Sequence, residues 1–409
     1  MIAKRQSFLS HAAMTVVRAR LSRLFFITRL LRFAGNDSHM ASFSLRAVKR
    51  ETISAHIYPA EMLFFDSLSY SRTIVSGVFF IIALLAWVPA MGRTEGSDDY
   101  RDSAKVSLLM ATGMPGGTSY QVGLGLASFW TTRLRQTGIR VSAAISEGSR
   151  ENVEAIRIAD ADIILVDDFI LSMAYAGAGI YRGKPLKELR TITNLWPEVV
   201  HIVVRSDKVK SGNIQDLEGT TLASGLRDSG NRLTIEMLLN TVKGLRQTVR
   251  VRSMSILSAV EAFKQGSIQA IDLTGGIPVP AVSALFHDAK TPLTLLEITD
   301  AQMESLRSEG WKNVSRCVIP AHTYAGQDKA VQSVGQMNVM ATTSQIDAGV
   351  VYALTKTLYE GLDALTKIHP VFRDLAIENA FSGLKAPLHP GAVRYYRQRG
   401  LTVPESLIP

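Results

Sequence analysis

From Val106 onward the chain alternates short apolar runs with stretches of helical periodicity. Val106–Met110 reads as a strand, followed by a glycine-rich turn and an amphipathic helix over Ser119–Arg135. Arg140–Ala144 reads as a strand with a helix at Arg150–Ala159, and Ile163–Val166 as a strand with a helix at Phe169–Ala176. The same rhythm continues with strands at Val199–Arg205, Thr220–Ser224, Val249–Val251 and Ile268–Leu273. Helices are expected between them at Asn231–Thr241 and Ser255–Lys264, and the tail from about Asp347 to Arg399 is mostly helical. Strand–turn–helix repetition predicts α/β architecture with parallel sheets. Two such series, 106–198 and 200–310, are each the length of one lobe.

The segment before Val106 follows a different pattern. Ile74–Val88 carries no charge in fifteen residues, and Arg72 precedes it. It is shorter than the roughly 20 residues a spanning helix needs. With the small residues Ala90 and Gly92 behind it, it reads as the apolar region of a signal peptide or as an uncleaved anchor, the whole occupying 73–92. A mature start is expected near Arg93. Residues 1–72 are read as an extension outside the fold, with Met62 the better-placed start. The alternative is that the basic, amphipathic Val16–Phe33 lies on a membrane surface.

Composition changes the picture in two places. The 409 residues hold 45 Lys+Arg and 36 Asp+Glu, a net charge of +9. Residues 1–92 hold 11 basic and 4 acidic residues, a balance of +7, and the remainder holds 34 and 32, a balance of +2. The body is therefore near neutral, and a nucleic-acid partner is not expected. A single cysteine, Cys317, excludes an intramolecular disulfide and a cysteine-based zinc cluster.

The candidate chemistry lies after the strands. Thr112, Gly116, Gly117, Thr118 and Ser119 join the first strand to its helix. Gly148, Ser149 and Asn152 follow the second, Ser229, Gly230 and Asn231 open a helix in the second series, and Gly275 and Gly276 close it. In open α/β sheets ligands bind at the carboxyl ends of strands, where helix N-termini offer unpaired N–H groups to an anion. Glycine lets backbone approach, and Ser or Thr adds a hydroxyl donor. No Lys follows the first glycines and no G-x-G-x-x-G is present, so neither ATP nor NAD is supported, and no cofactor is expected. Asp167 and Asp168 end the third strand on the same sheet edge. They are expected either to meet an amine of the ligand, a side chain such as Arg150, Arg227 or Arg232, or a bound cation, or to cap the helix that follows. No histidine pair has metal-ligand spacing, and His389, Cys317, Trp130 and the Tyr395–Tyr396 pair are read as structural.

At these residues the chain resembles the TAXI family of TRAP-transporter solute receptors. The resemblance is carried by ATGMPGGTSYQVG (Ala111–Gly123), EGSRENV (Glu147–Val153), ADIILVDD (Ala161–Asp168) and DLEGTTLASGLRDSGN (Asp216–Asn231). It continues through TGGIPVPAV (Thr274–Val282), VYALTKTLYE (Val351–Glu360) and LHPGAVRYYRQRG (Leu388–Gly400), covering roughly 104–400. Departures fall at Ser119, at Asp167-Asp168-Phe169 and at Leu226-Arg227-Asp228. The resemblance implies a two-lobed, periplasmic-binding-protein-like (type II) fold, with 104–198 plus 318–409 as one lobe and 199–317 as the other. It implies a receptor without catalysis that closes on a small carboxylate or amino-acid-like solute, by hinges near 196–200 and 312–322. It further implies delivery to a TRAP membrane permease and membrane contact through it, while the apolar run 74–88 carries the expectation of periplasmic location or of direct membrane contact. A bilobal enzyme with Asp167 and Asp168 as acid and base is the alternative.

Overall fold

The computed structural model describes residues 105–409. The first lobe opens with β1 (Val106–Ala111), α1 (Thr118–Arg133), β2 (Ile139–Ala144), α2 (Ser149–Arg157), β3 (Ile163–Asp167), α3 (Asp168–Ala176) and β4 (Leu189–Val199). The chain then crosses into β5 (Ile202–Arg205), β6 (Thr221–Ser224), α4 (Gly230–Asn240), α5 (Leu245–Thr248) and β7 (Arg250–Ser253). The second lobe continues through α6 (Ile256–Lys264), β8 (Ala270–Asp272), α7 (Pro280–His287), β9 (Leu293–Leu295) and α8 (Asp300–Ser308). β10 (Ser315–Ile319) and β11 (Val331–Thr343) lead back, and α9 (Ala348–Glu360), α10 (Leu362–Leu365) and α11 (Pro390–Gln398) cover the first lobe.

One sheet has the order β10-β11-β3-β1-β2 with β4 also on β11, and the other the order β7-β6-β8-β5-β9. The strand–helix series read from the sequence are present, their bounds within a residue or two except at Val199–Arg205, where the second-lobe strand begins only at Ile202 and Val199 ends β4 of the first sheet. The sheets are mixed rather than parallel throughout. β1–β2, β1–β3, β6–β7 and β6–β8 are parallel, while β11 runs antiparallel to β3 and β4, and β5 antiparallel to β8 and β9. β4, β9, β10 and β11 are strands the periodicity did not disclose.

Every residue of β3 is buried, which is why Ile163-Ile164-Leu165-Val166 shows no polar alternation: helices cover both faces and β1 and β11 both edges. A single apolar cluster spans the first lobe and takes in Val351, Leu354 and Tyr396 from the tail helices. The second sheet is flanked by two clusters, one around Phe263 and Val282, the other around Leu238 and Trp311.

Two strands cross between the lobes side by side. Val199 still pairs with Gly335, while the next residue's N–H, that of Val200, bonds Val334 O at 3.0 Å. Val199 also exchanges backbone bonds with Gly275 of the second lobe, at 2.9 and 3.0 Å. Around the expected return at 317–318, Cys317, Ile319 and Val331 still pack with second-lobe residues. First-lobe packing resumes at Met337, so the return crossing lies inside β11 rather than between 312 and 322. Two α/β sheets joined by crossing strands, with a cavity at the carboxyl ends of the parallel strands, make this a two-lobed, type II periplasmic-binding-protein-like fold. The apolar run Ile74–Val88 and the 1–72 extension lie outside the described residues, among which no helix is long and apolar enough to cross a membrane.

Candidate functional site

The carboxyl ends of β1, β2 and β3 face the turn before α4, and between them lies a cavity of about 60 Å³. Ten of the residues singled out from the sequence line it: Thr112, Gly117, Thr118, Ser119, Gly148, Ser149, Asp167, Ser229, Gly230 and Asn231. The first turns of three helices therefore meet here, those of α1, α2 and α4. Each first turn has backbone N–H groups with no partner inside its own helix.

The other five predicted residues do not line the cavity, and their contacts show what they do instead. Asn152 is fully buried, and its Nδ2 donates to Thr112 O at 2.9 Å and Leu165 O at 2.7 Å, tying β1 to β3. Gly116 O accepts from Ala281 N at 3.1 Å, Gly276 O accepts from Thr118 Oγ1 at 2.9 Å, and Gly275 pairs with Val199. These three hold the lobes together. Gly116 has φ +92°, and a Cβ on it would lie 2.8 Å from Ile256 of the second lobe, so glycine here serves the lobe contact. Asp168 accepts from Asn313 Nδ2 of the second lobe at 2.9 Å.

The hydroxyl groups behave differently from expectation. Thr112 Oγ1 donates to Ala144 O at 2.8 Å, Thr118 Oγ1 to Gly276 O, and Ser119 Oγ to Glu198 Oε1 at 3.1 Å. Ser149 Oγ donates to Asp167 Oδ2 at 2.9 Å and Ser229 Oγ to Leu226 O at 2.7 Å, while accepting the N–H of Arg232 as an N-cap. A hydroxyl has one hydrogen, and all five hydrogens already go to protein acceptors.

The crossing strands supply two residues the sequence reading missed, Glu198 on β4 and Asn338 on β11. Asn338 stands directly across the β3–β11 ladder from Asp167, and Gln336 directly across the β4–β11 ladder from Glu198. Gln336 and Asn338, buried polar side chains within VQSVGQMNVMATT, are the signal that could have pointed here. Glu198 Oε1 accepts from Asn338 Nδ2 at 2.7 Å, Trp196 Nε1 at 3.0 Å and Ser119 Oγ.

Burial pushes the Glu198 carboxyl up to about 8, and the neighbouring Asp167 charge adds to the shift. Burial likewise raises Asp167 to about 6, against the lowering effect of hydrogen bonds from Ser149 and Gln336. Asp167 holds the N-cap position of α3 but makes no capping bond, so its carboxyl is not simply a helix cap.

No Lys or Arg lines the cavity. Of the cations expected near the aspartates, Arg150 reaches across the lobes to Arg227 O at 2.8 Å and Asp228 at 3.2 Å, and Arg232 pairs with Glu236 at 2.6 Å. Arg227 is exposed. Among the described residues no group of three or more His, Cys, Asp or Glu side chains could hold a metal ion.

The residues read as structural are tied into the fold. His389 caps α11 through Gly391 N at 3.1 Å, Trp130 is buried on Leu354 O, and Tyr396 is buried on Ile192 O.

The site is a polar cavity between two α/β lobes. The NMT1-like family matches residues 110–400, and the chain belongs to that family. Similar solved structures include an ancestral arginine-binding protein bound to arginine, at 12% identity and TM-score 0.42, covering 65% of this chain and 97% of that one. Another is the alkanesulfonate-binding protein SsuA from Xanthomonas axonopodis pv. citri bound to MOPS, at 15% identity and TM-score 0.39, covering 74% and 94%. A third is the GluR0 ligand-binding core from Nostoc punctiforme in complex with L-glutamate, at 13% identity and TM-score 0.40, covering 66% and 100%.

Proposed function

We propose that this protein is an extracytoplasmic solute receptor that binds a small carboxylate or amino-acid-like molecule between its lobes and delivers it to a TRAP-type membrane permease. The observation that carries the reading is the cavity itself, where three helix N-termini from two lobes converge on buried polar side chains. Contacts around it join one lobe to the other, including Thr118–Gly276, Gly116–Ala281, Glu151 N to Asp228 O at 3.3 Å and Asp168–Asn313. Such contacts can form only when the lobes close, so solute binding and closure are linked. Membership of the NMT1-like family and the solute-binding neighbours support the class, and the TAXI-like motifs support the permease. Ile74–Val88, as a signal or anchor, supports a periplasmic location.

Two carboxyls with raised values in one cavity are also what an acid–base enzyme would need, and this is the second reading. One experiment separates them. Protein purified natively from periplasm is denatured, and the released small molecules are identified by mass spectrometry. A receptor yields a solute that stabilises fresh protein and is recovered unchanged. Conversion of that molecule by fresh protein contradicts the receptor reading.

A further inference from the structure

The cavity has its hydroxyl hydrogens turned away and its acceptors left over. Glu198 Oε1 takes three hydrogen bonds and Oε2 takes none. Asn338, 3% exposed and on the cavity wall, has a buried Oδ1 with no partner. Asp167 contributes a second carboxylate, 5% exposed. Two carboxyl groups and an orphan amide oxygen belong to the lining of one small space that has no basic side chain, an arrangement that accepts a cation from outside once the proton on Glu198 is displaced.

Resting on the receptor reading above, we propose that Glu198, Asp167 and Asn338 form a subsite for a protonated primary amine, so that the solute carries an ammonium group and is not a simple carboxylate. An ammonium offers three donors to three acceptors. Three hydrogen bonds on Oε1 hold the Glu198 carboxyl in one orientation, which presents Oε2. The first-turn N–H groups of α1 and α4 remain for a carboxylate elsewhere on the same solute.

The test uses the full-length protein and matched pairs: alanine against propionate, γ-aminobutyrate against butyrate, glutamate against glutarate, with calcium chloride alone as a further arm. Thermal stabilisation by at least one amine, without response to its partner acid, is expected. Calorimetry with that amine should show about a tenfold to hundredfold weaker affinity for Glu198→Gln and for Asp167→Asn, the scale of a lost charged hydrogen bond. Circular dichroism of both variants should match the parent. If the simple acids stabilise and the amines do not, or both variants bind the amine within twofold of the parent, the subsite is overturned and the receptor reading stands. A response to calcium alone, with none to amines, also overturns it. If no member of either set binds and native protein releases no small molecule, the receptor reading falls and the subsite with it.

Discussion

Gly230, the first residue of α4 in the second lobe, stands so close to Asp167 of the first lobe that a Cβ on it would lie 2.2 Å from the carboxylate Oδ2 and 3.3 Å from Ser149 Oγ. Gly230 is not among the glycines with positive φ, so an alanine there suits its own lobe. The conflict exists only in the closed arrangement. Gly230→Ala is therefore expected to melt at or near the parent temperature without solute, and to lose most of the stabilisation that solute brings. Small-angle scattering should show the parent contracting with solute and the variant not. An unchanged solute response in Gly230→Ala would mean that Asp167 and α4 do not meet on closing.

Glu198 gives the protein a pH signature in the arrangement that buries it. Its folded carboxyl holds a proton up to about 8, against an ordinary value of 4.5. The folded state thus binds a proton that the unfolded chain releases. Stability from this group is fully present below about 4.5 and is lost as pH rises through about 8. Asp167 on β3 is the charged neighbour that faces it, and its own raised value of about 6 adds a smaller loss in the same direction. Asp272, buried with Ser224 and Thr274 as donors and raised to about 6, acts alike in parent and variant. The difference in melting temperature, Glu198→Gln minus parent, should grow steadily from pH 5 to pH 8. A flat difference would show that Glu198 is ionised throughout. An amine solute should displace the proton, so its affinity should rise over the same window.

The Arg150–Asp228 pair bridges the lobes at 3.2 Å, but its side chains are 32% and 58% exposed. Solvent screens a pair of this kind to about 0–1 kcal/mol. Arg150→Ala also loses the bond to Arg227 O, and is expected to weaken solute affinity by no more than about tenfold, less at high salt. Calorimetry at low and high salt checks this. A hundredfold loss that persists in high salt would make Arg150 a principal determinant of closure.

At the crossing, a buried chain of hydrogen bonds fixes a histidine tautomer. His201 Nδ1 lies 2.9 Å from Val199 O and must donate, so Nε2 accepts from Tyr324 Oη at 2.9 Å, which in turn accepts the N–H of Val279 at 2.9 Å. Burial lowers His201 to about 4, so it stays neutral. Tyr324→Phe leaves His201 Nε2 and Val279 N–H unpaired in the core and should cost about 1–3 kcal/mol in denaturant unfolding. His201→Gln should cost less if the amide can reach one of the same partners. No loss in Tyr324→Phe would mean water replaces the hydroxyl.

How much of this was legible in the chain differs from element to element. β1, β2 and β3, with their glycine and serine turns, were readable because a strand buried on both faces is a plain apolar run and a Gly/Ser turn marks the helix start. β4 and β11 were not. LRTITNLWPEV contains Pro197 and several polar residues, and VQSVGQMNVMATT carries Gln336 and Asn338 where neither helix nor strand periodicity expects them. Two polar residues of those strands, Glu198 and Asn338, line the cavity. The hydroxyls of Thr118, Ser119 and Ser229 lie at the cavity, yet they donate to Gly276, to Glu198 and to Leu226, and the first two are neighbours that only the fold brings within reach. Asp167 and Asp168 are adjacent in sequence and part in space, one on the cavity and the other on Asn313 of the second lobe.

The most direct measurement is a crystal structure of the protein with the amine that stabilises it most. The solute should lie between the lobes, with its nitrogen within hydrogen-bonding distance of Glu198 Oε2, Asp167 and Asn338 Oδ1, and with any carboxylate on the first turns of α1 or α4. Solute density outside this cavity, or a carboxylate rather than an ammonium against Glu198, would contradict the account.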